Sequence, residues 1–309
     1  MRAGRRPTLN DVAAASGVSR ATVSFVLNDD PKQTISPATR ERVQRAARDL
    51  GYVPHGIARA LREGSSRIVV LNVDHGLEGN YSRSYIHGLD DELAAHDHVL
   101  LVRHGHSTPK ANRQVLDAIT PRAVLRLGER YLTGQGGADD DVLNDGFASN
   151  VALQLGYLAD RGHEYVAVAL PSDEAPMSEV HLRFARAVAA RLGLPPLVTF
   201  VVPRPRAAGA AAVRLFRAAH GRVTAVAASD DSLALRAVTA LRDLDVDVPG
   251  EVAVIGYDAT EYGELVTPAL TTVHINAEAH GRGAARAALG LPGAELEAAR
   301  GRVIVRESA

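Results

Sequence analysis

Between Thr8 and Asn28 the chain sets one arginine among short hydroxyl side chains, in the order Thr8, Ser19, Arg20, Thr22 and Ser24. A guanidinium presents paired N–H donors that match either a phosphate or the two acceptors on the edge of guanine. Hydroxyls and a carboxamide can donate to phosphate oxygens, which fixes register without reading bases. Arg20 is therefore the candidate for base readout, with Ala21 and Phe25 beside it to meet base edges or a thymine methyl. Thr8, Ser19, Thr22, Ser24 and Asn28 are the candidates for phosphate contact.

That chemistry needs elements to carry it. Thr8 is a good N-cap, and Asp11 three positions on can return to its amide and favour the positive end of a first helix. Leu9, Val12 and Ala13 recur at helical spacing, and Gly17 can take the left-handed conformation that ends such a helix. Ser16-Gly17-Val18 then forms a turn, and Ser19 caps a second helix with Val23, Val26 and Leu27 facing inward. Ser36 and Pro37 open a third helix whose buried stripe is Val43, Ala46, Ala47 and Leu50, with Arg40, Arg42, Arg45 and Arg48 on its other side. Gly51 ends it, and Tyr52-Val53-Pro54 reads as an extended connector. An ordinary helical hairpin would carry the same caps, so this layout alone leaves that alternative open.

The stretches LNDVAAASGVSRATVSFVLN, ISPATRERVQRAARDLGYVP and GIARAL resemble the LacI/GalR-type bacterial transcription regulators. The resemblance implies a helix-turn-helix domain over 1–54, a hinge helix and linker over 55–66, and a two-lobed α/β effector-binding and dimerisation domain over 67–309. It implies double-stranded operator DNA as partner, bound by a homodimer at a pseudo-palindrome, and a repressor more than an activator. The hinge helix of such proteins lies in the minor groove, which assigns Ile57, Ala58 and Leu61 to that contact, with Leu61 as the wedge at the central step.

Charge divides along the same line. Residues 1–66 carry 11 Lys and Arg against 6 Asp and Glu, while the remainder carries 24 against 30. Only the first segment is suited to a polyanion. Cysteine is absent, so neither disulfides nor thiolate metal sites contribute. No apolar run approaches membrane-spanning length and no leader-like segment precedes the first helix, which predicts a cytoplasmic protein with no membrane partner.

From Arg67 onward short apolar runs alternate with helical patterns. Strands are predicted at 68–73, 99–102, 123–127, 165–170, 198–202, 225–228, 252–257 and 303–305, and helices at 83–95, 110–119, 148–161, 178–192, 207–219, 231–243 and 277–289. Such alternation predicts parallel, doubly wound sheets covered on both faces. The fold class is thus a small all-α helix-turn-helix head plus a two-lobed, periplasmic-binding-protein-like α/β domain. The stretch near 128–147 is Gly- and Asp-rich and too short for the further strand and helix expected there, so the first lobe is read as shortened. Arg126 is out of place in a strand buried on both faces unless it ends at the cleft.

Ligands in such folds bind beyond the carboxyl ends of the strands. Carried over by position, the family's effector-binding residues fall on His181, Arg204, Asp230 and Asp258, with Arg183 a near neighbour of the first. Only Asp258 matches the family pattern directly. Two readings follow: these groups hold one another ionised around a small-molecule effector (a sugar, sugar phosphate or other polar metabolite), or they pair among themselves and the pocket takes no ligand.

Other chemistry is sparse. His96, His98, His104 and His106 cluster near the second strand but lack a third ligand set, so no metal site is assigned. Gly281-Arg282-Gly283 sits in a helical pattern and lacks the third glycine of a dinucleotide loop. No catalytic constellation and no cofactor are expected, so the protein is read as no enzyme. A small-molecule-binding protein of a transport system would share the second domain but not the first sixty residues.

Overall fold

The computed structural model describes residues 7–27, 33–52, 64–73, 79–105, 109–129, 146–172, 176–293 and 301–309. Asn28, Ile57, Ala58 and Leu61 lie outside the described residues, as does most of the 128–147 stretch. The chain divides into two compact units, Met1–Ser66 and Arg67–Ala309.

The first unit holds α1 (Leu9–Ser16), α2 (Arg20–Leu27) and α3 (Pro37–Asp49). A reciprocal cap starts α1: the Asp11 amide donates to Thr8 Oγ1 at 3.4 Å, and the Thr8 amide donates to the Asp11 carboxylate at 2.7 Å. Gly17 ends it in the left-handed region at φ 66°. Ser19 accepts from the Thr22 amide at 3.1 Å, and Ser36 accepts from the Thr39 amide ahead of Pro37. Val12, Val23, Val26, Val43, Ala46 and Ala47 form the core. Leu50, expected in that stripe, is 38% exposed. It stands where α3 ends, and Tyr52 just beyond it packs against the core.

The second unit is a pair of α/β lobes. Its first lobe contains β1 (Ile68–Val73), α4 (Asn80–Ala95), β2 (Val99–His104), α5 (Pro109–Ile119) and β3 (Ala123–Arg126), with a parallel sheet in the order β2-β1-β3. The second contains α6 (Gly146–Ala159), β4 (Val166–Leu170), α7 (Pro176–Arg191), β5 (Val198–Val201), α8 (Arg206–Ala219), β6 (Ala225–Ala228), α9 (Asp231–Arg242) and β7 (Ala253–Ile255), with a parallel sheet in the order β5-β4-β6-β7. This second sheet is buried on both faces: Val166, Val168 and Ile255 belong to one apolar cluster, Ala167, Ala169 and Val254 to the other.

The first sheet departs from that expectation. Val69, Leu71 and Val73 pack inward; on the other face Val70 of the central strand is buried, but on the edge strands Val99 is 63% and Val124 44% exposed. Arg126 shares that face in register with Asn72 and Arg103, which accounts for an arginine in this strand. A second departure is an antiparallel pair, β8 (Thr272–His274) with β9 (Arg302–Ile304). β9 lies within one residue of the strand expected at 303–305, whereas β8, three residues long, is too short for an alternating pattern to announce it.

After β8 the chain enters α10 (Glu278–Leu289), which packs on α4 in the first lobe. A Cβ at Gly281 would lie 2.1 Å from the Tyr85 carbonyl oxygen, and one at Gly88 would lie 2.2 Å from that of Glu278. Both glycines serve the close approach of two helix backbones, which explains Gly281 without a phosphate loop.

Candidate nucleic-acid interface and effector cleft

On α2 the residues near the N-terminal end face solvent. Arg20 and Ala21 are exposed, while Thr22, Ser24 and Phe25 are half-buried. The ring of Phe25 is thus partly spent on packing, which leaves less of it for a base edge than an outward position would. Ser19 and Thr22 exchange a hydroxyl contact at 2.9 Å in addition to the cap, so both are held at the exposed start of the helix. Tyr52 lies within electrostatic reach of Arg20. Burial pushes its hydroxyl pKa up, and the Arg20 charge works against that rise. Arg42 returns across the unit, its Nε donating to the Ser16 carbonyl at 2.8 Å. The end of α1, and with it the turn into α2, is thereby tied to α3.

In the second unit, three of the four carried-over effector positions stand just past strand ends: Arg204 after β5, Asp230 after β6 and Asp258 after β7. Asp230 is the N-cap of α9 and accepts from the Leu233 amide at 2.8 Å. Burial raises its pKa, opposed by the Leu233 amide and by the charges of Arg236 and Arg204. Asp258 is pushed up to about 7 by burial first, with Asp231 and Asp230 adding like charge, while its bond from the Tyr81 amide pulls the other way.

His181 is different. It has no exposed surface, and its ring meets Tyr257 edge-on at 4.9 Å between centroids. Burial lowers its pKa to about 3, so the imidazole is neutral near pH 7. The expectation that opposite charges keep all four groups ionised is therefore corrected: the histidine is neutral in the core behind the cleft, and burial pushes both carboxyls toward protonation. Arg183 is exposed, with its guanidinium 5.2 Å from the centre of the Phe184 ring.

Residues that the sequence reading passed over complete the cleft. Asp231, with no exposed surface, accepts from the Thr260 amide at 2.6 Å, the Thr260 hydroxyl at 3.1 Å and the Thr272 hydroxyl at 2.5 Å. Burial raises it to about 6 against the pull of those bonds. A Cβ at Gly256 would lie 2.1 Å from its carboxylate, which explains the glycine there. Gln154 of α6 donates its Nε2 to the carbonyls of Ala228 and Gly256, both at 2.9 Å, and so ties the ends of β6 and β7 together. The Asp230-Asp231 doublet is visible in the sequence; which member turns inward is not. Among the described residues no group of His, Cys, Asp or Glu is placed to hold a metal ion. None of the described helices is long and apolar enough to cross a membrane.

A small three-helix unit with a capped, solvent-facing second helix, joined in sequence to a two-lobed α/β unit with parallel sheets, defines the class of helix-turn-helix regulators with a binding-protein-like module. Comparison with known families agrees: residues 8–55 match the bacterial regulatory proteins of the lacI family, and residues 155–309 match the periplasmic binding protein-like domain. The chain belongs to the lacI family; it is a DNA-binding regulator of transcription and not an enzyme.

Similar proteins include the ribose operon repressor of Escherichia coli (strain K12), 26% identical over 292 residues, covering 86% of this chain and 87% of that protein. The transcriptional repressor CytR of the same organism is 26% identical over 294 residues, covering 86% and 84%. Among solved structures, a lac repressor dimer bound to operator and the anti-inducer ONPF aligns with a TM-score of 0.73 at 19% identity, covering 98% of this chain and 99% of that one. A CelR–cellobiose complex aligns with a TM-score of 0.60 at 24% identity, covering 98% and 100%.

Proposed function

We propose that this chain is a cytoplasmic, homodimeric repressor that occupies a pseudo-palindromic operator. The observation that carries the reading is the exposed pair Arg20 and Ala21 at the start of a capped second helix, the geometry that presents side chains to a major groove. Arg20 reads a guanine, Ala21 and the exposed part of Phe25 meet neighbouring base edges, and Thr8, Ser19, Thr22, Ser24 and Asn28 hold phosphates. Ile57, Ala58 and Leu61 enter the minor groove. Support for the dimer comes from the edge strands of the first-lobe sheet, where Val99, Leu101 and Val124 present apolar surface for a second copy to cover. The similar lac repressor is itself a dimer on its operator.

The cleft of the second unit is the place where a small polar metabolite would be read, as cellobiose is bound by the similar CelR. Arg204, Asp230 and Asp258 past the strand ends support that assignment, with His181 acting behind them through Tyr257.

Selection of bound fragments from random duplex DNA tests the main reading: a two-fold related motif is the expected result, and no enrichment at moderate ionic strength overturns it. Leu61→Ala should reduce the bend of the selected site, and an unchanged bend removes the wedge. A thermal-shift screen over neutral sugars, sugar phosphates and amines tests the cleft.

A further inference from the structure

The N-terminus of α4 lacks a cap of its own. Gly79 occupies the N-cap position and offers no side chain, so the first amides of the helix need acceptors from elsewhere. They come from the other lobe. The Asn80 amide donates to the Asp258 carbonyl at 2.8 Å, the Tyr81 amide donates to Asp258 Oδ1 at 2.5 Å, and the Asn80 Nδ2 donates to the Ala259 carbonyl at 2.8 Å. The fit depends on the missing side chain, since a Cβ at Gly79 would lie 1.6 Å from Asp258 Oδ2.

The backbone on the accepting side of this contact is bent. Asp258 has φ 90° and Ala259 φ 43°, a left-handed pair that non-glycine residues adopt at a cost. That turn is fixed from behind, because the Thr260 amide is held by Asp231 and the Ala259 amide donates to Thr272 Oγ1 at 3.3 Å. Tyr81 adds an apolar bond across the same gap, packing against the cores of both lobes and stacking with Tyr85 at 6.1 Å. A second crossing lies nearby, where a Cβ at Gly128 would come within 3.0 Å of the Met177 sulfur.

We propose that Asp258 is a built-in latch: it caps α4 from the opposite lobe and so holds the two lobes together. This rests on reading residues 67–309 as the effector-responsive module. It adds that any metabolite entering at α4 must displace the chain's own carboxyl group. The strain at φ 90° is the cost that the contact offsets, and it gives the latch a means of release.

The chain has no native cysteine, so spin labels can be placed at will. Ala94→Cys on α4 and Ala190→Cys on α7, both exposed, report the distance between lobes in full-length protein diluted with unlabelled chain. The expected result without added metabolite is one narrow distribution. Asp258→Gly removes the carboxylate while relieving the left-handed backbone, so the protein should fold at least as well and show a longer, broader distribution. Asp258→Asn keeps an acceptor oxygen and should retain the narrow one. Gly79→Ala should open the lobes as Asp258→Gly does. A broad distribution in the unsubstituted protein, or an unchanged one in both Asp258→Gly and Gly79→Ala, overturns the latch. Sequence-selective binding of duplex DNA by the same samples reports separately on the regulator reading.

Discussion

The helix-turn-helix unit and the cleft of the second unit both display polar side chains at helix starts, yet they use them in opposite directions. In the first unit Thr8, Ser19 and Ser36 cap helices locally, which leaves Arg20 exposed and aimed outward. In the cleft, Asp231 and Asp258 reach across to residues 29 and 177 positions away in sequence and are consumed by contacts within the protein.

The largest effect that would separate the two regions is expected from Asp231→Ala. Three buried donors lose their acceptor at once, and at about 1 to 3 kcal/mol for each unsatisfied group the second unit should lose several kcal/mol of stability. Denaturant melts should show the loss confined to the transition of residues 67–309; an unaffected transition would remove the inward role given to this carboxylate. Arg20→Ala should act on the other region alone, costing about 1 to 3 kcal/mol of operator binding and relaxing preference at one base pair. Equal losses on selected and random duplexes would contradict base readout.

A smaller effect is expected at Thr8. Loss of its cap in Thr8→Ala should cost about 1 kcal/mol of helix stability and weaken binding to all duplex sequences alike, as titrations against specific and random DNA would show.

The pH dependence is the finest probe, because two kinds of buried group oppose each other. Asp258 and Asp231 are raised to about 7 and about 6 from an unfolded value of 3.8, so the folded state holds more protons between about 4 and 7 and stability falls as pH rises through that window. His181 is lowered to about 3 from 6.5, so its share of stability is complete above about 6.5 and is lost as pH drops toward 3. Asp258→Asn removes one carboxyl from this balance. Its stability relative to the unsubstituted protein should therefore rise between about pH 4 and pH 7, and a flat difference would contradict the burial assigned to Asp258.

Much of this was readable along the chain. Thr8, Asp11, Gly17, Ser36 and Pro37 act over three or four residues, and the structure places each cap where local stereochemistry puts it. The alternation of apolar runs and helical stripes likewise carried the parallel sheets, because burial on both faces leaves a continuous apolar signature. The edge strands of the first sheet were less legible: Val99, Leu101 and Val124 are as apolar as buried residues, and only the packing shows them uncovered.

What the sequence by itself determined is therefore the set of elements and the class of partner, since caps, periodicity and the basic first segment are local or summed properties. Tertiary structure alone decided that His181 is a neutral core residue, that Asp231 rather than Asp230 turns inward, and that Asp258 caps a helix of the opposite lobe. The reason is physical: the charge and hydrogen bonding of a buried polar group depend on desolvation and on partners brought together by folding, and neither is written in the residues beside it.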